Sequence, residues 1–192
     1  ICSIHRLWLS LSWSELEGII EEVLDYGEKA ILALSQAGDN YELALAYCWT
    51  SNCYGWALWL RALKEKMEEL VEKCFSYSEN ALKLSEEIGD PYLISMAANG
   101  AGRATGFVAG DLQPARKYFE NQRKLDAITR DNHQIGSAAT WLAIITWLTM
   151  ITLEEDPNKQ REGFKETTEY AKKAIRHLRT IAYLPDMVFA YY

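Results

Sequence analysis

A tyrosine recurs in one helical context four times along this chain, at Tyr26, Tyr77, Tyr118 and Tyr170, spaced 51, 41 and 52 residues apart. A compact residue stands three positions before each: Val23, Cys74, Ala115 and Thr167. Four positions after it, Ala30, Ala81 and Ala174 serve three copies, while the third has Gln122. Two copies match in detail, Tyr77-Ser-Glu-Asn-Ala-Leu-Lys-Leu84 against Tyr118-Phe-Glu-Asn-Gln-Arg-Lys-Leu125. Self-similarity at so long a period calls for stacked supersecondary units rather than one closed core.

Punctuation divides the chain into helices. Ser14-x-x-Glu17 is a capping-box signature ahead of an apolar run and predicts a helix over 14–37. Gly38 ends it, because glycine adopts the left-handed C-terminal cap at least cost, and Asp39 caps a helix over about 41–60. Over about 64–88, Leu63, Met67, Leu70, Cys74, Tyr77, Ala81, Leu84 and Ile88 alternate by four and three, forming one stripe. Gly89-Asp90-Pro91 repeats the stop-and-start signal, with proline in the first turn, where no donor is lost. Further helices are expected over about 92–109, closed by Gly110-Asp111, then 114–129 and 134–153. Glu154-Glu-Asp-Pro157 breaks the run before a helix over about 162–182, and Pro185-Asp186 opens a last one. The domain expected over 1–192 is therefore a half-repeat at 14–38, pairs at about 39–89, 90–130 and 131–183, and a truncated helix at 185–192.

Around Gly110-Asp111-Leu-Gln-Pro-Ala115-Arg-Lys-Tyr118-Phe119 the chain resembles the tetratricopeptide repeat family. In that family the second helix of a pair follows a Gly-Asp turn with a small residue, aromatics three and four later, then another small residue. The first small position falls on Val23, Cys74, Ala115 and Thr167, and the second on Ala30, Ala81 and Ala174. Small side chains there let paired helices cross closely, while the aromatic fills the gap to the next repeat. The resemblance implies an all-α fold, a right-handed superhelix (solenoid) of antiparallel helix pairs with about 7–8 helices. The repeats exceed the family's usual length, and the Leu-Gly of the first helix survives loosely as Tyr54-Gly55 and Ala101-Gly102. Long repeats of this kind are similar to the sensor arms of signal-responsive regulators.

The resemblance also implies a peptide- or ligand-binding concave face lined by first helices. Aligning Gly55 with Gly102 sets Trp49, Asn52, Trp56 and Trp59 beside Met96, Asn99, Arg103 and Phe107. Both helices then carry Asn-x-x-Gly, and an asparagine on that face can hold a peptide amide through two hydrogen bonds. Tryptophan rings would wall the groove and Arg103 would bind a carboxylate or phosphate. The competing reading makes the tryptophans repeat-stacking core and the asparagines ordinary satisfied polar groups.

Other motifs carry less chemistry. Asn99-Gly-Ala-Gly-Arg-Ala-Thr-Gly106 lacks the preceding strand and the lysine of a phosphate loop, so close helix crossing accounts for its glycines. Cys48 and Cys53 have no neighbouring histidine to complete a zinc site, and His5, His133 and His177 stand alone. No nucleophile–base pair is visible, so no catalytic residue, metal or cofactor is expected. Glu68-Glu69 and Glu86-Glu87 read as solvated faces, and Lys172, Lys173, Arg176 and Arg179 as a basic ridge complementing a helix C-terminus. Residues 135–153 carry no charge and are long enough for a membrane span, yet Ser137 and Thr140, Thr146, Thr149 and Thr152 within the first-helix slot favour a buried repeat helix.

A net charge of -7 argues against nucleic acid, which needs a concentrated basic surface. Cys2, Cys48, Cys53 and Cys74 include no CxxC pair and read as reduced thiols in a cytoplasmic setting. The chain opens at Ile1 without methionine and stops at Tyr192 in an apolar run, which reads as a piece of a larger protein. The expected function is a non-catalytic scaffold binding a protein or peptide on the concave face, without membrane. The alternative is an arm sensing a small-molecule effector for an attached NTPase, cyclase or transcription-regulator domain; an enzyme in its own right is the third and weakest reading.

Overall fold

A computed structural model of the protein describes residues 13–59 and 63–181. The helices are α1 (Trp13–Ala37), α2 (Asn40–Trp59), α3 (Met67–Ile88), α4 (Pro91–Arg103), α5 (Leu112–Lys124), α6 (Asp126–Thr129), α7 (Asn132–Thr152) and α8 (Pro157–Thr180). A 3-10 turn at Lys64–Lys66 leads into α3, and a π turn at Ala104–Val108 extends α4. The described residues contain no strand; the fold is all-helical.

The turns follow the expected grammar. Gly38, Gly89 and Gly110 close their helices at φ 74°, 76° and 75°, a region that side chains with a Cβ enter only at a cost. Arg130 meets the same geometrical demand at φ 49° before α7. Among the aspartates that follow, Asp111 makes no side-chain cap bond, whereas Asp90 Oδ1 accepts from Tyr92 N at 2.9 Å and Leu93 N at 3.0 Å. Asp131 Oδ1 does the same for His133 N at 2.7 Å and Gln134 N at 3.0 Å. Each such cap stabilises a helix by about 1 kcal/mol.

Two boundaries differ from expectation. Asp156 Oδ1 accepts from Asn158 N at 2.8 Å, so Pro157 occupies the first helical position and starts α8 rather than breaking the chain. The helix expected over 114–129 stops at Lys124, where Leu125 N turns back to Gln122 O at 3.0 Å before the short α6. Ser14's side chain and residues 185–192 lie outside the described residues.

Packing runs in chain order: α1 on α2, α2 on α3, α3 on α4, α4 on α5, α5 on α7 and α7 on α8. In addition α2 packs on α4 and α4 on α7, so the first helices of successive pairs touch. Glycines permit the closest approaches. A Cβ on Gly102 would stand 2.7 Å from Phe119 Cζ, and one on Gly136 2.5 Å from Leu178 Cγ. Ala81, Ala115 and Ala174 are completely buried on α3, α5 and α8, at the positions where the repeat predicts small residues.

The repeat is not uniform. Tyr77 packs against Tyr47 and Tyr54, with ring centroids 5.9 and 5.6 Å away, and Tyr170 packs beside the Phe119–Trp141 cluster. Tyr118 is half-buried, and the fully buried aromatic of its copy is its neighbour Phe119. Tyr26 is 61% exposed, with Val23 and Ala30 also on the surface, so the expectation of four equivalent tyrosine sites fails at the first copy. There α1 meets α2 through Leu24, Gly27 and Ile31, where an added Cβ on Gly27 would strike Thr50 at 2.6 Å. The α7 helix is long and apolar enough to cross a membrane, yet 67% of its apolar window is buried against its neighbours. Within it Trp141 is 6% exposed, whereas Trp147 is 46% exposed.

Candidate functional site

Three first helices, α2, α4 and α7, bring side chains together around Arg103. Arg103 closes the α-helical part of α4, and the π turn that follows carries Phe107. Asn52 and Trp56 lie one turn apart on α2, and Trp141 sits near the middle of α7. Arg103 Nη1 donates to Asn52 Oδ1 at 3.0 Å. Its guanidinium carbon lies 4.9 Å from the Trp56 ring centre and 4.9 Å from that of Trp141. Phe107 meets Trp141 at 5.1 Å with a 60° tilt, and Phe119 backs the same indole at 6.3 Å in a stacked arrangement.

A guanidinium over an indole face is held by the ring quadrupole, at about 0.5–2 kcal/mol for each contact depending on desolvation. Arg103 is half-buried, and the two rings and Asn52 hold the cation in place. Its charge also opposes the burial of two thiols. Burial pushes Cys74 up to about 11 and raises Cys53, with Arg103 pulling both back in part. Burial raises Cys48 to about 12. These thiols stay protonated at neutral pH, the opposite of what a nucleophilic cysteine requires.

The predicted residues divide. Asn52, Trp56, Arg103 and Phe107 converge in this cluster. Asn99 turns elsewhere: 7% exposed, its Nδ2 donates to Gln122 Oε1 at 3.1 Å and Ser137 Oγ at 3.0 Å. The two asparagines therefore do not face one opening. Counted from the capping aspartates, Asn99 matches Cys48 rather than Asn52 (99 − 90 and 48 − 39), and Cys48 packs with Ala81 where Asn99 meets Gln122. Asn52 takes the Arg103 donor instead. Met96, 4% exposed, packs with Cys48, Ala81 and Ala97 in the core. Trp49 is 54% exposed, and the Trp59 side chain lies outside the described residues.

Sequence reasoning missed Trp141, and a signal for it existed. Trp141 is the tenth residue after the cap Asp131, as Trp49 is the tenth after Asp39 (141 − 131 and 49 − 39). Counting from the caps instead of from the glycines would have placed an indole on the third first helix. Among the described residues, no group of three or more His, Cys, Asp or Glu is arranged to hold a metal.

The fold and the cluster define a class: an all-helical protein of sequentially packed helices that gathers an aromatic-clasped cation on its first helices. No protein-family model, curated protein or solved structure matches the chain.

Proposed function

We propose that this chain is a non-catalytic recognition module, a tetratricopeptide-like right-handed superhelix of antiparallel helix pairs that binds a protein or peptide on its concave face. The observation that carries this reading is the Arg103 guanidinium held between Trp56 and Trp141 with Asn52 at its edge. Three successive first helices supply those groups, and first helices line the concave face in the family that the repeats resemble. A cation pre-set between two indoles suits a ligand carboxylate flanked by an apolar side chain, because the side chain stacks while the carboxylate takes a charge-assisted bond. The reading carries with it a cytoplasmic setting without membrane, where free cysteines such as Cys48 and Cys74 stay reduced.

The test is a fluorescence titration with a peptide library of free-acid and C-terminally amidated members, following the indoles. Binding of carboxylate-bearing peptides that weakens at least tenfold in Arg103→Met is the expected result. Equal affinity in Arg103→Met, or no peptide binding at all, removes the reading. The same cation would serve a small carboxylate effector in the sensor-arm alternative. A thermal-shift screen of metabolites separates the two: stabilisation by free metabolites but not by peptides favours the sensor arm.

A further inference from the structure

An apolar stripe on α7 begins at the Arg103 cluster and leads away from it. Ile144, Trp147, Leu148 and Ile151 follow one another by three, one and three residues, which puts all four on one side of the helix. Ile144 packs against the cluster that holds Trp141 and Phe107. Beyond that contact the stripe opens: Leu148 is half-buried, Trp147 is 46% exposed and Ile151 50%. Toward the N-terminus of α7 the same side is closed, with Ser137 4% exposed and Thr140 0%. The helix's packing partners take other sides. Leu142 and Ile145 meet Ala115 and Phe119 of α5, and a Cβ on Gly163 of α8 would strike Met150.

We propose that this stripe seats an apolar side chain of a peptide whose C-terminal carboxylate is held at Arg103; the inference rests on the peptide reading above and adds the direction and spacing of the ligand. Two observations select that occupant. The guanidinium between Trp56 and Trp141 gives a carboxylate its complementary charge at one end of the stripe. Open apolar surface on α7 then extends from that cation in one direction only, so a chain lying along it ends at Arg103 instead of passing across it. This separates a terminal carboxylate from that of an aspartate or glutamate inside a longer segment. The spacing follows from the two backbones. Trp147 and Leu148 lie six and seven residues beyond Trp141, a helical rise of about 10 Å. An extended peptide covers that distance in about three residues. The side chain three residues before the last one is therefore the one buried against Trp147 and Leu148.

The experiment titrates the full chain with free-acid peptides of about six residues, a single leucine moved stepwise along a serine background, by calorimetry. Binding is expected to be tightest with leucine three residues before the end. Trp147→Ala should then weaken that peptide about tenfold and leave the all-serine peptide unchanged, whereas Arg103→Met weakens both. If Arg103→Met weakens both peptides but Trp147→Ala weakens neither, the stripe is not part of the site and the peptide reading survives. If neither variant matters, or no peptide binds, the reading and this inference fall together. Equal binding by the C-terminally amidated leucine peptide overturns the direction. Dimers in sedimentation runs that disappear in Trp147→Ala would give the stripe to a second copy and overturn the inference as well. Should Trp147→Ala lower the melting temperature, Ile151→Ser, at the more exposed position, repeats the comparison with the same outcomes.

Discussion

Ala81 in α3 and Gln122 in α5 stand at the same place in their repeats, four residues after Tyr77 and Tyr118, and both are completely buried. Around Ala81 the neighbours are compact and apolar: Cys48, Met96 and Ala97. Around Gln122 they are polar. Its Nε2 donates to Gln134 O at 3.3 Å and Gln134 Oε1 at 3.0 Å, and its Oε1 accepts from Asn99. Ser95 Oγ reaches the same Gln134 oxygen at 3.2 Å. One position thus serves close approach in the first case and joins three helices, α4, α5 and α7, in the second. A buried amide is tolerable only when its partners are present, so the second solution binds neighbouring pairs to one another in a defined register.

The largest test of this contrast is Gln122→Leu, nearly the same volume without the amide. Leaving Gln134 and Asn99 short of partners should lower stability by about 3 kcal/mol. Denaturant unfolding measures it, and a midpoint within error of the parent would show that the network adds nothing. Ala81→Leu comes next. Overpacking between α2, α3 and α4 should cost about 2 kcal/mol, whereas an unchanged midpoint would mean that Ala81 does not sit at a tight crossing.

The smallest expected effect concerns the polar contact that α1 makes with the α2–α3 pair. Glu28 accepts from Lys73 Nζ at 2.6 Å and also from the Tyr54 hydroxyl. Burial works to raise the Glu28 carboxyl, but the hydrogen bonds from Lys73 and Tyr54 prevail and hold it below its ordinary 4.5. A depressed carboxyl adds stability above its unfolded value and loses it as pH falls through the folded one. Acid should therefore loosen α1 selectively below about pH 4.5, the ordinary carboxyl value. Both side chains are near one-third exposed, so Glu28→Gln should cost less than about 1 kcal/mol and abolish the pH dependence of that step. Tyr26 fluorescence, or exchange of α1 amides across pH, reads the effect. A slope that persists in Glu28→Gln would point to a different carboxylate.

The helices were legible because their stops and starts are local: glycine in the left-handed cap, aspartate accepting from the next turn. Arg103 and Trp56 were legible because first helices repeat their phase. Asn99 was not, since its partners Gln122 and Ser137 lie 23 and 38 residues away and decide its direction through packing. The α1 register was hidden for a related reason. Its apolar residues support two adjacent stripes, Leu24–Ile31 toward α2 and Val23–Ala30 outward, and periodicity does not rank them.

The π turn at Ala104–Val108 has its own consequence for how the molecule tolerates change in length. Ala109 N reaches Ala104 O at 3.2 Å, so five residues occupy roughly the rise of four and the surplus one is absorbed inside the helix rather than in a loop. Removing a single residue there would restore an ordinary α-helical turn and leave the backbone downstream close to its present phase. Within the turn, a Cβ on Gly106 would stand 2.9 Å from both Ala115 Cβ and Ile145 Cδ1, so the close approach there needs glycine. The turn thus takes up inside the helix a change in length that elsewhere would fall to a loop.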